Sequence, residues 1–268
     1  MRCKVHSGRL GTKNICMKTY DPSEPLIGLH IPKTGGTSLR EILQEWFSNK
    51  QLFLHYRTPP GLPEPHSLKG ATCAYGHFNG RRGFGVADYY PQVQQFFCFV
   101  REPFDRIVSL WFYMNHKKQS TDRRSPILAG DPSFETWLAR LADHEFAHET
   151  DMVAFLPLGL GSDSIGDLLE RHFIFVGTME RFGQSADCLA DILGKPRIVL
   201  NNRNKSPRTD TDLEKWRPFF EKHFQDDMEF YEIACRINSR MLAAWNDGRD
   251  VASSAGTTRN TDSGVLVS

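Results

Sequence analysis

The residues best suited to chemistry cluster at 30–39, HIPKTGGTSL. Lys33 offers a point charge, Thr34, Thr37 and Ser38 offer hydroxyl donors, and Gly35 and Gly36 let the backbone approach a ligand closely. An apolar run at 26–29 leads in and a helix-compatible run at 38–47 follows. In that strand–turn–helix order, backbone N–H groups and a helix N-terminus converge on an anion. A Walker loop carries its lysine after the last glycine, as G-x-x-x-x-G-K-[ST]. Here Lys33 precedes both glycines, and no other segment supplies the Walker spacing. A second cluster follows residues 95–100, QFFCFV, which read as a short buried strand running into REPFDRIVSLWFYM at 101–114. Arg101 stands at the strand's end, Pro103 suits the first turn of a helix, and Ser109 lies about two turns on. A guanidinium fork plus a helical hydroxyl can grip a second phosphate. The blander alternatives are a glycine turn that caps a helix and an arginine that pairs with Glu102 or Asp105.

The elements that must position these residues follow from the apolar pattern. Strand-like runs occur at 26–31, 52–56, 71–75, 95–100 and 172–177, with helix-compatible stretches between several of them. That alternation predicts an α/β fold with a mostly parallel sheet flanked by helices. Residues 134–141 and 182–193 read as amphipathic helices, and 216–242 as one or two long ones. The PPGLPEP stretch at 59–65 reads as a surface loop. The expected organisation is a flexible leader over 1–24, a catalytic domain over 25–247, and a disordered tail over 248–268 that is too poor in apolar residues to pack.

Taken together, PKTGGTS at 32–38 and REPFDRIVS at 101–109 resemble the sulfotransferases that use 3′-phosphoadenosine-5′-phosphosulfate (PAPS). The carbohydrate branch, which includes the heparan sulfate 2-O- and 6-O-enzymes, is the most similar. In that family PKT-[GA]-[GS]-[ST]-[ST] binds the 5′-phosphosulfate and R-[DE]-P-x-x-R-x-x-S binds the 3′-phosphate. The resemblance continues more weakly through 175–182, 202–207 and 227–234, and so covers roughly 26–236. It implies a P-loop-like sulfotransferase fold of about five strands. It also implies PAPS as donor, 3′-phosphoadenosine-5′-phosphate (PAP) as product, and no metal. By this resemblance Lys33, Thr34, Gly35, Gly36, Thr37 and Ser38 hold the 5′-phosphosulfate, with Lys33 also stabilising charge on the leaving oxygen. Arg101 and Ser109 hold the 3′-phosphate, and Lys205 and Ser206 close over the nucleotide.

Sulfuryl transfer to a hydroxyl requires a base, and histidine is the side chain best matched to that task near neutral pH. Of ten histidines, His77 has the strongest context, at the end of the strand-like run 71–78 and within a Gly-His pair similar to the branch's G-H-x-x-[FYW] setting. Only the Gly-His core matches. His30 is the rival base and His55 a third candidate. Arg81 and Arg82 could read a carboxylate or sulfate on an acidic glycan, as could Lys117, Lys118, Arg123 and Arg124. The acceptor is expected to be a glycan or glycolipid hydroxyl.

Other features narrow the class. With 268 residues, 40% hydrophobic content and 19 phenylalanines, the chain is long and apolar enough for one large domain with a real core. A net charge of +1 exerts no global pull toward nucleic acid. No run approaches the length of a membrane span, and the basic N-terminus lacks the apolar stretch of a secretory signal. Six scattered cysteines without a C-x-x-C pair favour a reducing compartment. A cytoplasmic enzyme is therefore expected, with a Golgi enzyme shorn of its anchor as the alternative. His144-Glu145-Phe146-Ala147-His148 matches the zinc-hydrolase signature H-E-x-x-H, with Glu170 as a conceivable third ligand, and makes a zinc-dependent hydrolase the rival function. A nucleotide-binding module without turnover is the third reading.

Overall fold

The computed structural model describes residues 17–56, 61–118, 126–130, 132–143, 150–199 and 212–257. Five short strands form one all-parallel sheet: β1 (Leu26–Leu29), β2 (Leu52–His55), β3 (Cys73–Gly76), β4 (Phe96–Val100) and β5 (Phe173–Thr178). Their order is β2-β3-β1-β4-β5. The central strands read as continuous apolar runs because both faces of the sheet are covered, and every residue of β1, β3, β4 and β5 is buried. The chain leaves β1 for the far edge at β2, then returns through β3 to β4 on the other side of β1. Such a reversal opens a crevice at the strands' carboxyl ends, the usual place for a ligand in an α/β sheet.

One face is packed by α1 (Gly36–Trp46) and α6 (Phe182–Ile192), whose Leu39, Leu43 and Leu189 meet Leu26, Phe97 and Phe99. The opposite face is packed by α2 (Val86–Tyr89), the 3₁₀ turn Val153–Phe155, α5 (Ile165–His172) and α8 (Gln225–Thr257). There Phe230, Ala234 and Ile237 lie with Ile27, Cys98 and Val176. A register shift between β4 and β5 pairs Phe96 with Phe173 but Phe97 with Phe175, so Ile174 and Phe175 both join the α1–α6 side. Three more helices, α3 (Pro103–Lys118), α4 (Phe134–Ala142) and α7 (Arg217–His223), enclose a separate aromatic core around Phe104, Trp137 and Phe220.

The segment ahead of β1 is tied down by one buried glutamine. The Gln95 amide donates to the Asp21 and Glu24 carbonyls at 2.9 Å each, and its oxygen accepts the Asp21 N–H at 3.1 Å. At the other end α8 stays helical through Thr257, past the boundary at residue 248 expected from composition. Cys73, Cys98 and Cys188 are buried free thiols. Among the described residues no helix is long and apolar enough to cross a membrane.

Candidate active site

The cradle is the six-residue passage from β1 to α1. It departs from the sheet when His30 donates its N–H to the Gly76 carbonyl at 2.8 Å, and it turns when the Thr34 hydroxyl donates to the Ile31 carbonyl at 2.8 Å. Thr34 is thereby buried and spent on the loop's own shape. Gly35 takes a left-handed conformation, φ 79°, as the N-cap of α1, a backbone state that an L side chain resists. Gly36 opens the helix with its Cα against the His30 ring, and a Cβ there would overlap His30 Nε2, Cε1 and Cδ2. No side chain caps α1 and no acidic residue stands in its first turn. Its leading N–H groups, those of Thr37 and Ser38 included, have no carbonyl partner within the helix and favour an anion. Lys33 also has a positive φ, 73°, and its Nζ lies 4.2 Å from the centroid of the Tyr113 ring on α3.

The second cluster leaves the neighbouring strand. β1 and β4 pair directly, Leu29 opposite Cys98, so the cradle and Arg101 emerge side by side from one edge. Glu102 is taken up by structure: its carboxylate accepts the N–H groups of Asp105 at 2.7 Å and Phe104 at 3.3 Å, and it pairs with Arg217 at 2.8 Å. It therefore caps α3 and pins α7 to it. Arg101 and Ser109 are both half-buried. Arg106, the second arginine of the motif, turns inward. Wholly buried, it donates to the Thr150 carbonyl at 2.5 Å and pairs with Asp227 of α8 at 3.0 Å. Asp227 also accepts the Met152 N–H at 2.8 Å, which locks α3, α8 and the segment from residue 150 together.

On the other side of β1, at the end of β3, stands His77. Its Nδ1 lies 2.7 Å from the His30 carbonyl. A carbonyl only accepts, so the proton of neutral His77 sits on Nδ1 and the lone pair on Nε2. Burial lowers its pKa below the ordinary histidine value, the carbonyl bond opposes this, and nearby Arg82 adds to the lowering. A neutral imidazole with its lone pair on Nε2 is the form a general base takes. The His77 ring stacks on His30, centroids 4.4 Å apart, and meets Tyr56 and Phe155 edge-on at 5.0 and 6.0 Å. His30 is sandwiched against Tyr75, with centroids at 5.4 Å, and its Nδ1 lies 2.9 Å from the Tyr56 hydroxyl. Burial, then the charges of His77, Arg40 and Lys33, hold its pKa well down. His30 is thus a filler between His77 and the cradle. His55 is fully buried, stacked on Phe78 at 4.2 Å with its pKa pushed down to about 4 by burial, and has no path to an acceptor.

The fold therefore brings Lys33 to Ser38, Arg101 and His77 to the carboxyl ends of three adjacent strands, β3, β1 and β4, with Ser109 about two turns along α3. Arg81 and Arg82 lie in the 3₁₀ turn Gly80–Arg82 just beyond His77. Arg81 forms an ion pair with Asp151, and Arg82 lies over the Phe84 ring at 5.6 Å. Glu170 lies on α5, on the lining of a surface groove of about 250 Å³ between α5 and α8. Lys205, Ser206, Arg123, Arg124, the side chains of Lys117 and Lys118, and the whole of 144–148 lie outside the described residues. Among the described residues no cluster of three potential ligands could hold a metal. The sequence reading did not single out Tyr56, Tyr75, Phe155, Asp151 or Tyr113. Only Tyr56 carried a usable signal, its place one residue beyond a strand's carboxyl end.

A parallel sheet that gathers polar groups at its carboxyl edge belongs to the class of α/β enzymes that handle nucleotides there. The model of the sulfotransferase family matches residues 18–232, and the chain belongs to that family, whose reaction is sulfuryl transfer. Among solved structures it is similar to mouse sulfotransferase SULT7A1 complexed with PAP. The two are 14% identical with a TM-score of 0.46, over 87% of this chain and 91% of that one. No curated protein matches the sequence.

Proposed function

We propose that this enzyme transfers the sulfuryl group of PAPS to a carbohydrate hydroxyl, with His77 as base and Lys33 on the donor. The observation that carries the reading is the adjacency of two anion positions and one neutral histidine on neighbouring strand ends. The uncapped α1 N-terminus and Lys33 receive the 5′-phosphosulfate, and Arg101 and Ser109 receive the 3′-phosphate one strand away. On the far side of the cradle, His77 Nε2 takes the acceptor's proton as the hydroxyl oxygen bonds to sulfur. The bond from sulfur to the bridging oxygen breaks, PAP departs, and Lys33 stabilises the charge that develops on that oxygen. The sulfuryl group carries less charge than a terminal phosphoryl, so positioning and electrostatics from this chain's own residues suffice.

The carbohydrate acceptor rests on the resemblance of the two motifs to the carbohydrate branch and on Arg82. That guanidinium lies near His77 and over Phe84, and so presents a cation and an aromatic face beside the base. A carboxylated or sulfated sugar suits such a pair. Arg82 is favoured over Arg81 for this role because Asp151 already engages Arg81. Calorimetry tests the donor half. PAP should bind far more tightly than AMP or ADP, and Arg101→Ala should cost about 1.5–3 kcal/mol of PAP binding through loss of a charged hydrogen bond. Equal affinity for PAP, AMP and ADP would refute the assignment of Arg101 and Ser109.

A further inference from the structure

Lys33 is the one non-glycine residue with a positive φ among the described residues. Such a backbone is unfavourable for a side chain with a β-carbon and persists where the surroundings enforce it. Its side chain is a long, flexible stem whose ammonium adopts many positions unless something holds it. The structure supplies a holder. Nζ sits 4.2 Å from the centre of the Tyr113 ring, within the range where the face of an aromatic ring attracts a cation. Tyr113 lies on α3 one helical turn beyond Ser109, on the same helix that starts at the Arg101 corner. It is 43% exposed and stands outside the aromatic core that its neighbours Phe112 and Met114 join.

We propose that Tyr113 is a positioning residue for sulfuryl transfer, its ring face holding the Lys33 ammonium at the cradle before the donor arrives. This rests on the reading of Lys33 as the donor lysine. The contact ties the lysine of one anion position to the helix that builds the other, so the two phosphate-binding elements are set relative to each other in the empty enzyme. Preorganisation of this kind spares the donor the cost of fixing the lysine. The attraction that holds the ammonium comes from the face of the ring.

The test uses the full chain with Tyr113→Phe, Tyr113→Leu, Lys33→Ala and the Lys33→Ala/Tyr113→Leu double variant. In the donor-free protein with ¹³C-methylated lysines, the Lys33 resonance should be shifted upfield by the ring. Tyr113→Phe should keep that shift and Tyr113→Leu should abolish it. PAP affinity and turnover should each fall about two- to fivefold in Tyr113→Leu, the scale of an exposed cation–π contact. Both should stay at wild-type level in Tyr113→Phe. In the Lys33→Ala background, Tyr113→Leu should do nothing further, an outcome that a merely structural tyrosine would not produce. A Tyr113→Leu protein with wild-type affinity and turnover would overturn the proposal. So would a Tyr113→Phe protein as impaired as Tyr113→Leu, or losses that multiply in the double variant. A wild-type protein that binds no PAP would instead overturn the donor reading and this proposal with it, a result distinguishable from the others.

Discussion

Gly36→Ala places a single methyl group where the structure has no room for one. A Cβ at position 36 would overlap three atoms of the His30 imidazole. The ring cannot slide away, because Tyr75 lies flat behind it, His77 stacks on it at 4.4 Å, and its Nδ1 is held by the Tyr56 hydroxyl. Overpacking of a filled site costs about 1–3 kcal/mol, and the confinement here argues for the upper part of that range. Alanine's better helix propensity returns at most about 1 kcal/mol at this first helical position. The net expectation is a loss of about 1–2 kcal/mol, seen as a fall in melting temperature of roughly 2–8 °C for a domain of this size. Turnover should suffer more, because His30 supplies the carbonyl that orients His77. A displacement of about 1 Å at a reacting group is worth on the order of 10²-fold. Scanning calorimetry and sulfate transfer on wild type, Gly36→Ala, His30→Ala and the double variant measure both effects. Truncating His30 vacates the space the methyl needs, so the double variant should be more stable than the sum of the single losses predicts. A Gly36→Ala protein with unchanged melting and turnover, or strictly additive losses, would refute the packing argument.

Two further expectations follow from the same geometry. Arg106→Met leaves Asp227 buried without its countercharge and should destabilise the fold by about 3–5 kcal/mol in urea titration, while Arg106→Met/Asp227→Leu should recover much of the loss; an Arg106→Met protein within about 1 kcal/mol of wild type would contradict the buried pair. Burial holds the His77 pKa below its ordinary value, so the base stays deprotonated at neutral pH and loses its lone pair only on acidification. The acid limb of kcat/KM should therefore fall below pH ~6.5, and a limb above that value would point to another group.

What the sequence made legible was local. Four of the five strands announced themselves because both faces of the sheet are buried there, and the runs at 26–29 and 96–100 carry no polar side chain. Lys33, Gly35, Gly36, Arg101 and His77 were legible because each stands at a strand's end or a helix's start, where residue type follows from backbone position. What stayed hidden depends on distance along the chain. Arg106 sits within the run REPFDRIVS, yet its partner Asp227 is 121 residues away, and no spacing rule connects them. Arg81 reads as an open cation until the fold delivers Asp151, 70 residues on. The column of Tyr56, His30, Tyr75 and His77 draws on three strand ends that become neighbours only through the order β2-β3-β1. Tyr113 is one more aromatic residue on a helix until Lys33 is seen above its ring.

The most direct test separates the donor side from the acceptor side in one pair of variants. After a screen of desulfated glycans and simple sugars has named a working acceptor, PAP affinity and sulfate transfer would be measured for His77→Ala and Lys33→Ala. His77→Ala should bind PAP nearly as well as wild type while turnover falls by roughly 10²–10⁴, the scale of a lost general base. Lys33→Ala should lose both PAP affinity and turnover, because its charge acts on the bound donor and on the leaving oxygen. A His77→Ala enzyme with near-native turnover on the best acceptor would contradict the account and move the base to another residue.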